Sequence, residues 1–118
     1  MYIKHSDDVP AQLVGVGQAT TIQVLISSEE GPHFAMRKFV MQPGGGMPRH
    51  TNTVEHEQYA LRGRARVWID GTETVVSAGD VLFIPAGVPH SYHTVGDEPY
   101  EFICVIPNLT DTVEILED

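Results

Sequence analysis

Apolar and polar residues alternate in short runs along most of this chain, and turn signals punctuate the runs. Residues 21–27 (TIQVLIS) are β-branched and alternating, the pattern of a half-buried strand. After a turn at residues 28–32 (SEEGP), residues 34–42 (FAMRKFVMQ) predict a second strand. Phe34, Met36, Lys38 and Val40 share one of its faces and Ala35, Arg37, Phe39 and Met41 the other, because successive side chains of a strand point to opposite sides. Alternation does not say which face is inward. The run Pro43-Gly44-Gly45-Gly46 is expected to end this strand, since neither proline nor a glycine run continues a ladder. Residues 50–54 read as loop or strand edge. Further strands are expected at 56–61, 65–70, 73–77, 81–85, 90–95 and 100–106, with Asp70-Gly71 as a hairpin signal. Residues 1–20 are weakly patterned, and the acidic tail TDTVEILED fits an edge strand or a short helical turn. Short strands without an amphipathic helix define an all-β fold, a barrel or a sandwich. With no repeat or linker, residues 1–118 are expected to form one domain, its core over about 20–107 and flanked by an N-terminal strand and the acidic tail.

Composition narrows the partners. The chain has 16 acidic and 7 basic residues, a formal charge of -9, which argues against nucleic acid because phosphate binding needs a basic stripe. Arg62, Arg64 and Arg66 alternate and read as a solvated face or a subunit contact. No run has the length of a membrane span or a signal peptide. Cys104 is the single cysteine, so no intrachain disulfide forms and a cytoplasmic, reducing compartment is expected.

The candidate chemistry sits in residues 43–63 (PGGGMPRHTNTVEHEQYALRG). His50 and His56 follow the glycine-rich turn. If the backbone is extended, His50 and Asn52 project to one face. His90 opens a later strand behind the proline-bounded turn at 85–89 (PAGVP). Neutral imidazoles in such settings suit Mn, Fe, Co, Ni, Cu or Zn. The plainer reading is three scattered surface or core histidines. His93 has the opposite parity to His90 and is expected to face away; His33 reads as a surface residue. Glu55 and Glu57 flank His56 and fit a salt bridge on the outer surface. Tyr92 shares the face of His90, and Met47 stands at the edge of the glycine-rich turn, so both are candidates to line a pocket. Arg37 would meet an anionic substrate if its face is inward. Cys104 is expected to point inward, as a small buried hydrophobe or a pocket thiol. Trp68 reads as core or interface.

These spacings resemble the cupins, small double-stranded β-helix (jelly-roll) barrels. Gly44, five residues, His50-Thr51-Asn52, three residues, His56, six residues and Gly63 follow the family's first motif. Gly79, five residues, Pro85-Ala86-Gly87, two residues, His90, three residues and Thr94 follow the second. Fifteen residues separate the two. The segments Val54-Glu55-His56-Glu57, Phe34-Ala35-Met36-Arg37 and residues 102–107 (FICVIP) are similar to the four-histidine manganese cupins. The chain departs from the pattern where Asn52 replaces a histidine, His56 a glutamate and Thr94 an asparagine.

The resemblance implies one divalent transition metal per chain, Mn, Fe, Ni, Zn or Cu with Mn or Fe first, held by His50, His56 and His90. Asn52 would be a weak fourth ligand, would leave its place to water, or would mark a site that has lost much of its affinity. The implied function is a metal-dependent enzyme of oxygenase, isomerase or lyase type acting on a small oxygen-bearing molecule. The alternative is a non-catalytic metabolite- or sugar-binding cupin, and a storage or purely structural jelly roll ranks last. A homodimer paired through exposed edges or faces is expected.

Overall fold

The computed structural model describes residues 1–116. Ten strands form one curled sheet: β1 (Gln12–Leu13), β2 (Gln18–Ile26), β3 (Phe34–Asn52), β4 (His56–Arg62), β5 (Arg64–Ile69), β6 (Thr72–Ser77), β7 (Val81–Ile84), β8 (His90–Val95), β9 (Tyr100–Pro107) and β10 (Val113–Ile115). Among the described residues the one helical piece is a 3-10 turn at Ser6–Asp8, and no helix is long and apolar enough to cross a membrane.

The long strand β3 organises the sheet, and it differs from the sequence-based expectation. The Pro43–Gly46 run does not end the strand; it bends it and changes its partners. Residues before the bend pair with β2 and β9, Arg37 opposite Cys104 and Phe39 opposite Phe102. Residues beyond it pair with β8 and β10, His50 opposite both His90 and Ile115. Gly44 takes φ +79 and Gly46 φ +155, values that side chains penalise. A Cβ at Gly46 would also collide with the Tyr92 carbonyl. The glycines thus let one strand turn a corner of the barrel. Gly46→Ala is therefore expected to cost about 2–4 kcal/mol of stability, read as a lower urea midpoint; an unchanged midpoint would contradict this account of the bend.

The rest follows from alternation. Along β4 the burial runs buried-exposed-buried from His56 to Ala60, and along β8 His90, Tyr92 and Thr94 are buried. The inward residues Met41, Ala60, Ala65, Val67, Val76, Ile84, Tyr92, Tyr100, Phe102 and Cys104 form one apolar cluster. Phe102 stacks on Phe39 at 5.1 Å and on Tyr92 at 5.4 Å between ring centroids, favourable offsets for aromatic pairs. Of the tail, residues 113–115 form the edge strand β10 beside residues 50–52, and residues 117–118 lie outside the described residues. The arginine ladder faces solvent: Arg62 meets Glu98 and Glu101, and Arg66 meets Glu73. Trp68 lies half-buried under the Arg49 guanidinium, 4.0 Å from its centroid.

Candidate metal centre

Three strands bring the histidines together. His50 and His90 are partners across β3 and β8, and His56 opens β4 opposite Ile84. The His50 and His90 ring centroids are 4.2 Å apart, and those of His56 and His90 are 5.8 Å apart. All three are buried, at 4%, 6% and 1% exposure. The Gly87 amide donates to the Asn52 carbonyl at 2.7 Å, which ties the turn before His90 to the strand end that carries His50.

Hydrogen bonds to carbonyls set two of the three ring tautomers. His50 Nδ1 lies 2.8 Å from the Pro48 carbonyl and His90 Nδ1 2.9 Å from that of Val88. A carbonyl only accepts, so Nδ1 carries the proton and Nε2 keeps its lone pair. His56 Nδ1 lies 3.4 Å from Cys104 Sγ. The Nε2 atoms of His56 and His90 are buried with no hydrogen-bond partner, and so is Asn52 Oδ1. Buried polar atoms without partners cost stability, so His90 Nε2 and Asn52 Oδ1, joined by His56 Nε2 when the His56 proton sits on Nδ1, fit a cation as their shared partner. The Asn52 amide is oriented from outside. Its Nδ2 donates to Asp111 at 3.2 Å, while Asp111 also accepts the Thr53 amide at 3.0 Å. Rotating the amide would set its oxygen against a carboxylate. The donor set therefore fits a borderline divalent ion. Among the described residues no three His, Cys, Asp or Glu side chains already stand around one point, so binding would include side-chain adjustment.

Burial also holds the imidazoles neutral, as ligation requires. Desolvation, then the nearby Arg37 charge, pulls the His56 pKa down to about 3. Desolvation pulls His90 down to about 4 and lowers His50. A folded-state pKa below the ordinary 6.5 means that the unfolded chain binds more protons as pH falls past 6.5. The metal-free protein is thus expected to lose stability progressively from pH 6.5 toward pH 3, by an amount on the order of a few kcal/mol. Thermal melts at pH 7, 5.5 and 4.5 check this; a flat melting temperature would contradict it.

The cavity around the cluster measures about 220 Å³. Its lining is mostly apolar: Val14, Val16, Ile22, Phe39, Met41, Met47, Phe102 and Val113 join Arg37, His50, Asn52, His56, Gln58, His90, Tyr92 and Asp111. Met47, Tyr92 and Arg37 thus stand in the wall. Cys104 lies one layer behind it with 0% exposure, covered by His56 and Arg37, so it is not itself a wall residue. Tyr92 both lines the cavity and packs, and its hydroxyl accepts from Gln58 Nε2 at 2.8 Å. His93 and His33 are exposed. Among the described residues Glu55 and Glu57 form no salt bridge. Desolvation, then the neighbouring Glu55 carboxylate, raises the Glu57 pKa to about 7.

Gln58, Asp111, Val14 and Val16 were not anticipated. Gln58 has the parity of His56, two residues on, so the signal was in the sequence. Asp111 and the two valines arrive from flanking segments that carry no periodicity.

Matches to known proteins give the family. Residues 37–106 match the Cupin domain family, and the chain belongs to that family. It is 28% identical to the oxalate-binding protein of Thermotoga maritima over 112 residues, covering 90% of this chain and 93% of that one. It is 30% identical to quercetin 2,3-dioxygenase of Bacillus subtilis over 82 residues, 69% of this chain but only 21% of that protein. Among solved structures, the polyketide cyclase RemF of Streptomyces resistomycificus superposes with a TM-score of 0.87 at 30% identity, covering all of this chain and 88% of that one. The curled sheet is thus the cupin barrel.

Proposed function

We propose that this protein is a metal-dependent enzyme acting on an oxygen-bearing organic molecule with an apolar body. The observation that carries this reading is the set of buried, unpartnered atoms His56 Nε2, His90 Nε2 and Asn52 Oδ1 in a mostly apolar cavity. His50, His56 and His90 would hold the ion, with Asn52 as a fourth, neutral ligand and manganese or iron as first candidates. When bound, the ion supplies Lewis-acid polarisation of a substrate oxygen.

The chain's own residues do the rest. The apolar wall takes the body of the substrate and excludes water, which strengthens the electrostatics at its polar end. Tyr92 stays protonated, because burial pushes its hydroxyl far above the ordinary range. With its oxygen already accepting from Gln58, its proton is free to meet a substrate oxygen. The relatives' names bracket the substrate. Oxalate, two carboxylates without hydrocarbon, would leave the wall uncovered; a polyketide or a flavonol would cover it. A phenolic or enolisable substrate is the best match.

One observation favours the non-catalytic alternative. Among the described residues Asp111 is the one carboxylate in the wall, and it is already engaged by Asn52 and Thr53 rather than free to act as a general base. The outer face of β4 and β7, with Tyr59, Val81 and Phe83 exposed at 50%, 74% and 58%, supports the homodimer.

Quercetin, a flavonol with an enolic hydroxyl, tests the reading. Metal-loaded protein is expected to red-shift its long-wavelength absorption band and chelator-stripped protein to leave it unchanged. Consumption of quercetin or of a polyketide surrogate by the loaded protein separates enzyme from binder. Identical spectra with and without metal would count against the proposal.

A further inference from the structure

Arg37 is charged and half-buried and, among the described residues, forms no ion pair with an acid. It stands on β3 in the cavity wall next to His56. Its Nη2 donates to Cys104 Sγ at 3.3 Å and its guanidinium lies 5.1 Å from the Phe39 ring centroid. Its Nε is buried with no hydrogen-bond partner. Among the described residues no carboxylate forms an ion pair with it, although the chain has 16 acidic residues for 7 basic ones and Lys4, Lys38, Arg62 and Arg66 each meet one. A thiol and an aromatic face do not neutralise a cation. An uncompensated charge in an apolar wall is costly, and a protein with carboxylates to spare would have paired it unless the counter-charge comes from elsewhere.

The metal site points the same way. Three neutral imidazoles and an amide leave a divalent ion with its full charge. With Arg37 at +1 and Asp111 at -1, the loaded cavity carries a net excess of two positive charges. Low-dielectric surroundings strengthen the demand for an anion. Nε–H and a second N–H of the same guanidinium form a fork that matches a carboxylate.

We infer that Arg37 is the anion receptor of the cavity: it binds a carboxylate of the substrate, while the substrate's apolar body lies on Phe39 and the valines and a second oxygen faces the histidines. This deepens the proposed function and rests on it for the second oxygen alone; the carboxylate contact stands on Arg37 itself.

Salicylate, a carboxylate and a phenol on one ring, is the probe, and neutral salicylamide its control. Both are titrated calorimetrically into wild type, Arg37→Met and Arg37→Lys, each zinc-loaded and metal-free, with folding checked by circular dichroism. Wild type is expected to favour salicylate over salicylamide by about tenfold or more. Arg37→Met should lose that preference while its zinc and salicylamide affinities hold. Arg37→Lys, which keeps the charge and loses the fork, should fall between. Equal salicylate affinity in wild type and Arg37→Met overturns the inference, as does a wild type without preference. Failure to take up zinc overturns the metal reading alone; the metal-free titrations then decide Arg37 by the same comparison. Should Arg37→Met not fold, Arg37→Lys carries the test, and an undiminished preference there counts against the fork.

Discussion

Replacing His90 by alanine is expected to abolish metal retention, weakening divalent-ion affinity by about a hundredfold or more, beyond the 10–100-fold typical of residues that only support ligands. His90 is the middle ring of the three, 4.2 Å from His50 and 5.8 Å from His56. Its Nδ1 is fixed on the Val88 carbonyl and its Nε2 is an orphan acceptor. Alanine removes both the shared donor and the link between the other two. The fold should survive. The ring's lost packing is offset in part because an unsatisfied buried nitrogen goes with it. A competition titration against a chelator of known affinity, with a thermal melt in parallel, checks both halves. Retained affinity would mean that the ion, if bound at all, is held elsewhere.

Phe102→Ala is expected to produce the largest loss of stability, about 3–5 kcal/mol. Phe102 is 2% exposed and touches three other aromatic rings, Phe39, Tyr92 and Tyr100. It closes one side of the cavity, and Tyr92 rests on it. Truncation removes transfer energy and leaves a void that the rigid β3–β9–β4 ladder does not readily close. The same substitution should loosen Tyr92 and widen the cavity, so a bulkier apolar ligand would recover part of the stability by binding. Urea unfolding with and without such a ligand reads both effects. A loss below about 1 kcal/mol would show that the aromatic cluster is not the structural support described here.

Much of the barrel was legible because it rests on local signals. Strand alternation placed His90 and Tyr92 on one face and His93 on the other, and the glycine and proline spacings singled out His50, His56 and His90. What stayed hidden depends on contacts far apart in sequence. The Pro43–Gly46 run looked like a strand end, since glycine propensity is local, yet the strand continues there by exchanging β2 and β9 for β8 and β10. The inward face of β3 was undecided because alternation is symmetric; pairing with β9, which sets Arg37 opposite Cys104, breaks the symmetry. Asp111 looked like one more acid in a polar tail. Its role exists only because β10 folds back onto residues 50–52 and brings it to an amide 59 positions earlier.

His50, His56 and His90, with Asn52, are the proposed metal site. Elemental analysis of the protein purified without an affinity tag tests it most directly. The account predicts about one equivalent of a single divalent transition metal per chain, removed by chelator and restored by back-titration. No metal as purified, and no uptake from excess manganese, iron, nickel, copper or zinc, would contradict it.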